Sequence, residues 1–108
     1  MKLPKTFNYG HLKYEIIETL ADPQMRAENG QLLSGLHSQG KGKLFIHTGE
    51  SPNEYVRFVL MHEILHAIIS AQGIVLPENE SEIIIDGLSF GVIQALHQNP
   101  WMCDFFLE

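Results

Sequence analysis

His62-Glu63-Ile64-Leu65-His66 decides how this chain is read, because this H-E-x-x-H pattern sits inside a long helical stretch. Four positions is just over one helical turn, so both imidazoles leave the same face, close enough to hold one metal ion. Glu63 is turned by about 100° from His62. There its carboxylate reaches a water on the metal rather than the metal itself. The pattern points to hydrolytic zinc chemistry.

The helix around it has a readable start and stop. Ser51-Pro52-Asn53-Glu54 supplies a capping residue, a proline at the first helical position and a glutamate three residues after the cap. Residues 55–71 lack proline and glycine, and Gly73 is a natural stop. The active-site helix is therefore expected over residues 51–72. Val56, Val59, Leu60, Ile64, Ala67 and Ile68, with their neighbours, make it apolar nearly all round, the mark of a helix buried on most sides. Backbone carbonyls could satisfy two core histidines there, but that leaves Glu63 without a role. One divalent cation with its water satisfies all three side chains at once.

A tetrahedral hydrolytic zinc needs a third protein donor and a fourth position open to water. The next polar cluster is Asn79-Glu80-Ser81-Glu82, followed by Ile83-Ile84-Ile85 and Asp86. It opens a second helix expected over residues 79–98, ended by Asn99-Pro100. Along that helix Glu82, Asp86 and Ser89 share one stripe at i, i+4 and i+7. A competing account of Glu82 needs no metal: Asn79 as N-cap with Glu82 at the third helical position would form a capping box. Glu80 and Asp86 stay open as alternative donors. Gly87 and Gly91, four apart, read as a smooth face for close packing on a neighbour.

With these residues in place, the chain resembles the gluzincin branch of the zincin metallopeptidases. In that family a glutamate on the helix after H-E-x-x-H is the third ligand, and an acidic residue four positions later orients a ligand histidine. The resemblance implies that Glu82 is the third ligand to Zn²⁺ beside His62 and His66, and that Asp86 fixes the tautomer of one imidazole. Glu63 then acts as general base and acid in hydrolysing a peptide bond of an extended peptide or protein substrate. The order of elements is also similar to that of small zincin-like proteins carried by phages and prophages, and of the minigluzincins. Within this likeness only H-E-x-x-H and E-x-x-x-D are specific.

The 108 residues, 44% of them apolar, suffice for one domain with a single core, expected to span residues 1–108. No stretch reads as a signal peptide, and no apolar run is long enough for a membrane span. Cys103 is alone and forms no internal disulfide, so the expected compartment is a reducing cytoplasm, that of the host for a phage-encoded chain. A net charge of -6 argues against a nucleic-acid-binding surface. Residues 1–48 read mainly as strands. Residues 5–9 and 12–19 form a hairpin around Gly10, with Tyr14 and Ile16 alternating against Glu15 and Ile17. Residues 32–37 and 44–48 form a second pair across Gln39-Gly40-Lys41-Gly42. Between the pairs, residues 21–27 read as a short helical turn capped by Asp22. A small antiparallel sheet packed on an H-E-x-x-H helix and a glutamate-bearing helix is an α+β layout, zincin-like in order.

In zincins the strand before the active-site helix lies along the cleft and pairs with substrate. Here that role falls to Leu44-Phe45-Ile46-His47, taken as an edge strand open to strand addition. His47 at its end, and Tyr55 seven residues before His62, are candidate substrate or oxyanion contacts. Their plainer readings are an exposed strand-end histidine and a core or capping tyrosine. The tail, residues 100–108, carries Trp101, Phe105 and Phe106, too apolar to leave in solvent. It is expected to pack back on the body or to join two copies of the chain as a homodimer. Likeness to minigluzincins that hold a terminal segment in the cleft also offers Asp104 or the Glu108 carboxylate as an occupant of the open metal position. Besides the peptidase, two other classes stay open. One is a non-catalytic binding module with zinc as a structural staple; the other is an interaction protein that uses its aromatic tail.

Overall fold

The computed structural model describes residues 2–19, 35–38, 40, 42–48 and 52–108. Four strands come first: β1 (Thr6–Tyr9), β2 (Leu12–Thr19), β3 (Gly35–Ser38) and β4 (Lys43–His47). Three helices follow: α1 (Asn53–Ala71), α2 (Ser81–Gln98) and α3 (Trp101–Phe106). The chain is an α+β protein, and it divides into two compact units, Met1–Val75 and Leu76–Glu108. The helical turn expected at 21–27, the start of the third expected strand and the expected cap Ser51 lie outside the described residues.

In the first unit, β1 and β2 form the expected hairpin, with Phe7 opposite Tyr14 and Tyr9 opposite Leu12. Tyr14 and Ile16 are buried while Lys13 and Glu15 are exposed, the period-two alternation of a half-buried strand. The sheet order is β1-β2-β4-β3. β3 pairs antiparallel with β4 as expected, but β2 and β4 run parallel. The sheet is therefore mixed, which corrects the all-antiparallel expectation. Parallel neighbours cannot be joined by a tight hairpin, so the chain leaves β2, lays β3 at the outer edge and turns back to insert β4 between them.

This order also corrects the place of Leu44-Phe45-Ile46-His47, which is an interior strand. Leu44, Phe45 and Ile46 are all buried in succession, as in a strand covered on both faces. Leu44 and Ile46 join Tyr14, Ile16, Val56, Val59 and Ala67 in one core cluster. Each of its leucine, isoleucine and valine side chains contributes roughly 1.5–3 kcal/mol by leaving water.

α1 packs on β3 and β4. Its first turn is closed by the Val56 N–H donating to the Pro52 carbonyl at 3.0 Å. Pro52 is extended, at φ -61° and ψ 154°, so it caps the helix instead of being its first member. At the far end Gly73 takes φ +67°, a left-handed conformation that other residues adopt only at a cost, and the helix stops. Burial is narrower than the composition implies. Only Val56, Val59, Glu63 and Ala67 are fully buried, one stripe at i, i+3, i+7 and i+11. Phe58, Leu60 and Ile64 flank it, partly buried. An acid therefore sits in the middle of the stripe that forms the core.

In the second unit, α2 starts at Ser81 with Glu80 as its cap and ends at Asn99. The Asn99 side-chain amide donates to the Ala95 carbonyl at 3.0 Å, beside the Asn99 backbone N–H on the same acceptor. The tail is the short helix α3. Trp101 and Phe105 meet edge to face at 5.9 Å, and Phe105 and Phe106 at 5.2 Å. All three rings are more than half exposed. At Gly87 and Gly91, a Cβ would meet no described atom within 4 Å beyond the chain neighbours and the helix's own backbone. No helix among the described residues is long and apolar enough to cross a membrane.

Candidate metal centre

His62 and His66 lie on the flank of α1, one turn apart and half-buried. Their Nε2 atoms are 3.0 Å from one another, and their rings meet edge to face with centroids 4.7 Å apart. Two nitrogens bound to one tetrahedral zinc at about 2.0–2.1 Å each stand about 3.3 Å apart. The pair is thus within a few tenths of an ångström of that span, with the same nitrogen of each ring turned to a common point. A 3.0 Å separation also suits one N–H···N hydrogen bond between neutral rings. Both readings need the two Nε2 atoms to converge, and the residues fit the cation.

Apolar rings continue along the same face. Phe58 meets His62 edge-on at 6.1 Å and faces Tyr55 at 6.1 Å. Phe58 is a wall residue that the sequence pattern passed over as core. The signal was its i, i+4 relation to His62. Tyr55 shares this face, as its spacing implied, and is 43% exposed.

Glu63 lies on the adjoining, buried face of the same helix. It is 6% exposed, between the buried Val59 and Ala67 along the core stripe, and its side chain lies against Gly35 of the edge strand β3. The helical geometry explains this separation: the histidines occupy the flank while the acid is turned toward the sheet. One residue on from His62 is about 100° round the helix, so Glu63 and the two imidazoles occupy adjoining faces of α1.

The acidic candidates of the second unit lie at the start of α2. Glu82 is exposed in the first turn, Asp86 is half-buried one turn on, and Ser89 is fully buried with its hydroxyl donating to the Ile85 carbonyl at 2.7 Å. The stripe read from the sequence is a real helical stripe. The capping box is not formed, because Glu80 and not Asn79 caps the helix, and no side chain makes a capping bond. Glu80 is exposed just outside the helix.

His47 ends β4, opposite Thr19. Its Nδ1 is enclosed without a hydrogen-bond partner among the described residues, so a substrate contact could come only from Nε2. Asp104 and Glu108 are exposed, in and just after α3.

No family model, curated protein or solved structure matches the chain. What it does has to be read from its own side chains.

Proposed function

We propose that this chain is a zinc-dependent peptidase of the gluzincin type. His62, His66 and Glu82 are the metal donors, a set of two imidazoles and a carboxylate that suits zinc. The observation that carries the reading is the pair of Nε2 atoms 3.0 Å apart on the helix that also carries the buried Glu63. When bound, zinc supplies a Lewis acid that polarises the scissile carbonyl and makes its water acidic near pH ~7.

The remaining chemistry belongs to the protein. Glu63 takes the proton of the attacking water on its carboxylate and hands a proton to the departing amine nitrogen. Its burial keeps the carboxylate out of bulk water and limits its rotamers, so the base is held ready instead of being found by diffusion. Asp86 holds one imidazole in the tautomer that leaves Nε2 free to bind metal. An extended peptide is the substrate class, and β3 is the strand that offers it an edge. Among the described residues β3 is paired on one side by β4 and is the last strand of the sheet, the position that can receive a further strand. The substrate strand is thus β3, where the sequence pattern pointed to β4.

The alternative is a binding module with zinc as a structural staple. The buried acid weighs against it, since a staple has no use for a carboxylate that avoids the metal. Glu63→Gln separates the two. A peptidase retains zinc and fold in this variant while cleavage of an extended peptide falls roughly 10²–10⁴-fold. A staple shows no cleavage in either form, and full-rate cleavage by the variant would remove Glu63 from the chemistry.

A further inference from the structure

We propose that Gly35 is a positioning residue for Glu63: the bare backbone of β3 at this point is the seat of the carboxylate. The proposal rests on the reading of Glu63 as the base, and it concerns a residue that no motif marks.

Gly35 is the first residue of the edge strand and pairs with Ile46 of β4. A Cβ placed on it would stand 2.7 Å from Glu63 Oε2, 3.0 Å from Glu63 Cγ and 2.7 Å from Val59 Cγ1. Val59 and Glu63 are one helical turn apart on the buried stripe of α1. The strand therefore passes over α1 at the one place where a side chain would displace the acid.

The two neighbours would respond differently. Val59 is 5% exposed and β-branched, so in a helix it is held in one strongly preferred rotamer and gives little. Glu63 is unbranched and can turn about its side-chain bonds. A methyl group at position 35 thus falls mainly on the carboxylate, which must leave its place between strand and helix. The donors of the proposed zinc site are not among the nearest atoms to that methyl group. Metal binding and base positioning are therefore separable, and Gly35 acts on the second alone.

Gly35→Ala by itself also presses on Val59, so the test uses Val59→Ala as the background, which removes that methyl contact. Gly35→Ala/Val59→Ala is compared with Val59→Ala by zinc titration, by kcat and KM on an extended peptide, and by crystal structure. The expected result is unchanged zinc affinity, a Glu63 carboxylate moved by about 1 Å or more, and kcat lowered roughly 100-fold at similar KM. A general packing defect would instead weaken zinc binding and stability together. An unmoved carboxylate, an undiminished kcat, or a double variant that does not fold each overturns the proposal. If neither Val59→Ala nor the native chain cleaves any peptide, the peptidase reading fails, while the carboxylate's displacement still decides whether Gly35 is its seat.

Discussion

At the scale of single residues, the account turns on which atoms converge and which avoid one another. His62 and His66 present the same nitrogen to one point, and Glu63 is buried in the core stripe. The proposed third donor, Glu82, lies in the first turn of α2. Replacing His62 or His66 by alanine should abolish tight zinc binding and lower the stability of the chain, because metal affinity is also folding energy. Glu82→Gln should weaken zinc binding tenfold or more, about the loss expected when one ligand of a site is impaired. Glu80→Gln should leave it unchanged, since Glu80 lies outside the helix as its cap. Calorimetric zinc titration of the variants checks this. A damaging Glu80→Gln with a harmless Glu82→Gln would exchange the two roles.

At the scale of elements, the corrected strand order makes its own prediction. β4 is bonded on both sides, by β2 and by β3, so its amides should exchange slowly along the whole strand. Were β4 an edge, every second amide would exchange quickly, and a hydrogen-exchange experiment distinguishes the two patterns. Leu44→Ala or Ile46→Ala, each at a fully buried position, should cost about 2–5 kcal/mol in denaturant unfolding.

The first hairpin was legible because Tyr14 and Ile16 alternate with polar neighbours around Gly10, all within a dozen residues. α1 was legible from its apolar spacing and from Gly73. The parallel pairing of β2 with β4 was not, because it depends on a crossover whose route no local pattern encodes. One clue was available: the unbroken run Leu44-Phe45-Ile46 reads better as a two-faced interior strand than as an alternating edge. Within the site, the histidines and Glu63 were legible because four-residue spacing is a property of one helix. Gly35 was not, because its importance arises only where a strand distant in sequence crosses α1.

At the scale of the whole molecule, charge is unevenly shared. Residues 76–108 contain Glu78, Glu80, Glu82, Asp86, Asp104 and Glu108 and no lysine or arginine, which equals the net charge of -6 of the entire chain. Residues 1–75 are therefore balanced. The same acidic segment carries the exposed Trp101, Phe105 and Phe106. Pairing of two copies through α3 would bury those rings but bring like charges together. Sedimentation should then show self-association that strengthens as salt screens the repulsion, and Trp101→Ala with Phe105→Ala should abolish it. A chain that stays monomeric at every salt concentration removes the tail as a self-pairing surface.

The central claim is a zinc centre with three protein donors and a base that does not touch the metal. A crystal structure of the zinc-loaded chain, with the metal identified by anomalous scattering at the zinc edge, tests it most directly. The expected result is one zinc with His62 Nε2 and His66 Nε2 at about 2.0–2.1 Å, a Glu82 oxygen at about 2.0–2.2 Å and a fourth position held by water. Zinc bound by Glu63, or by the two histidines without any carboxylate from α2, would contradict it.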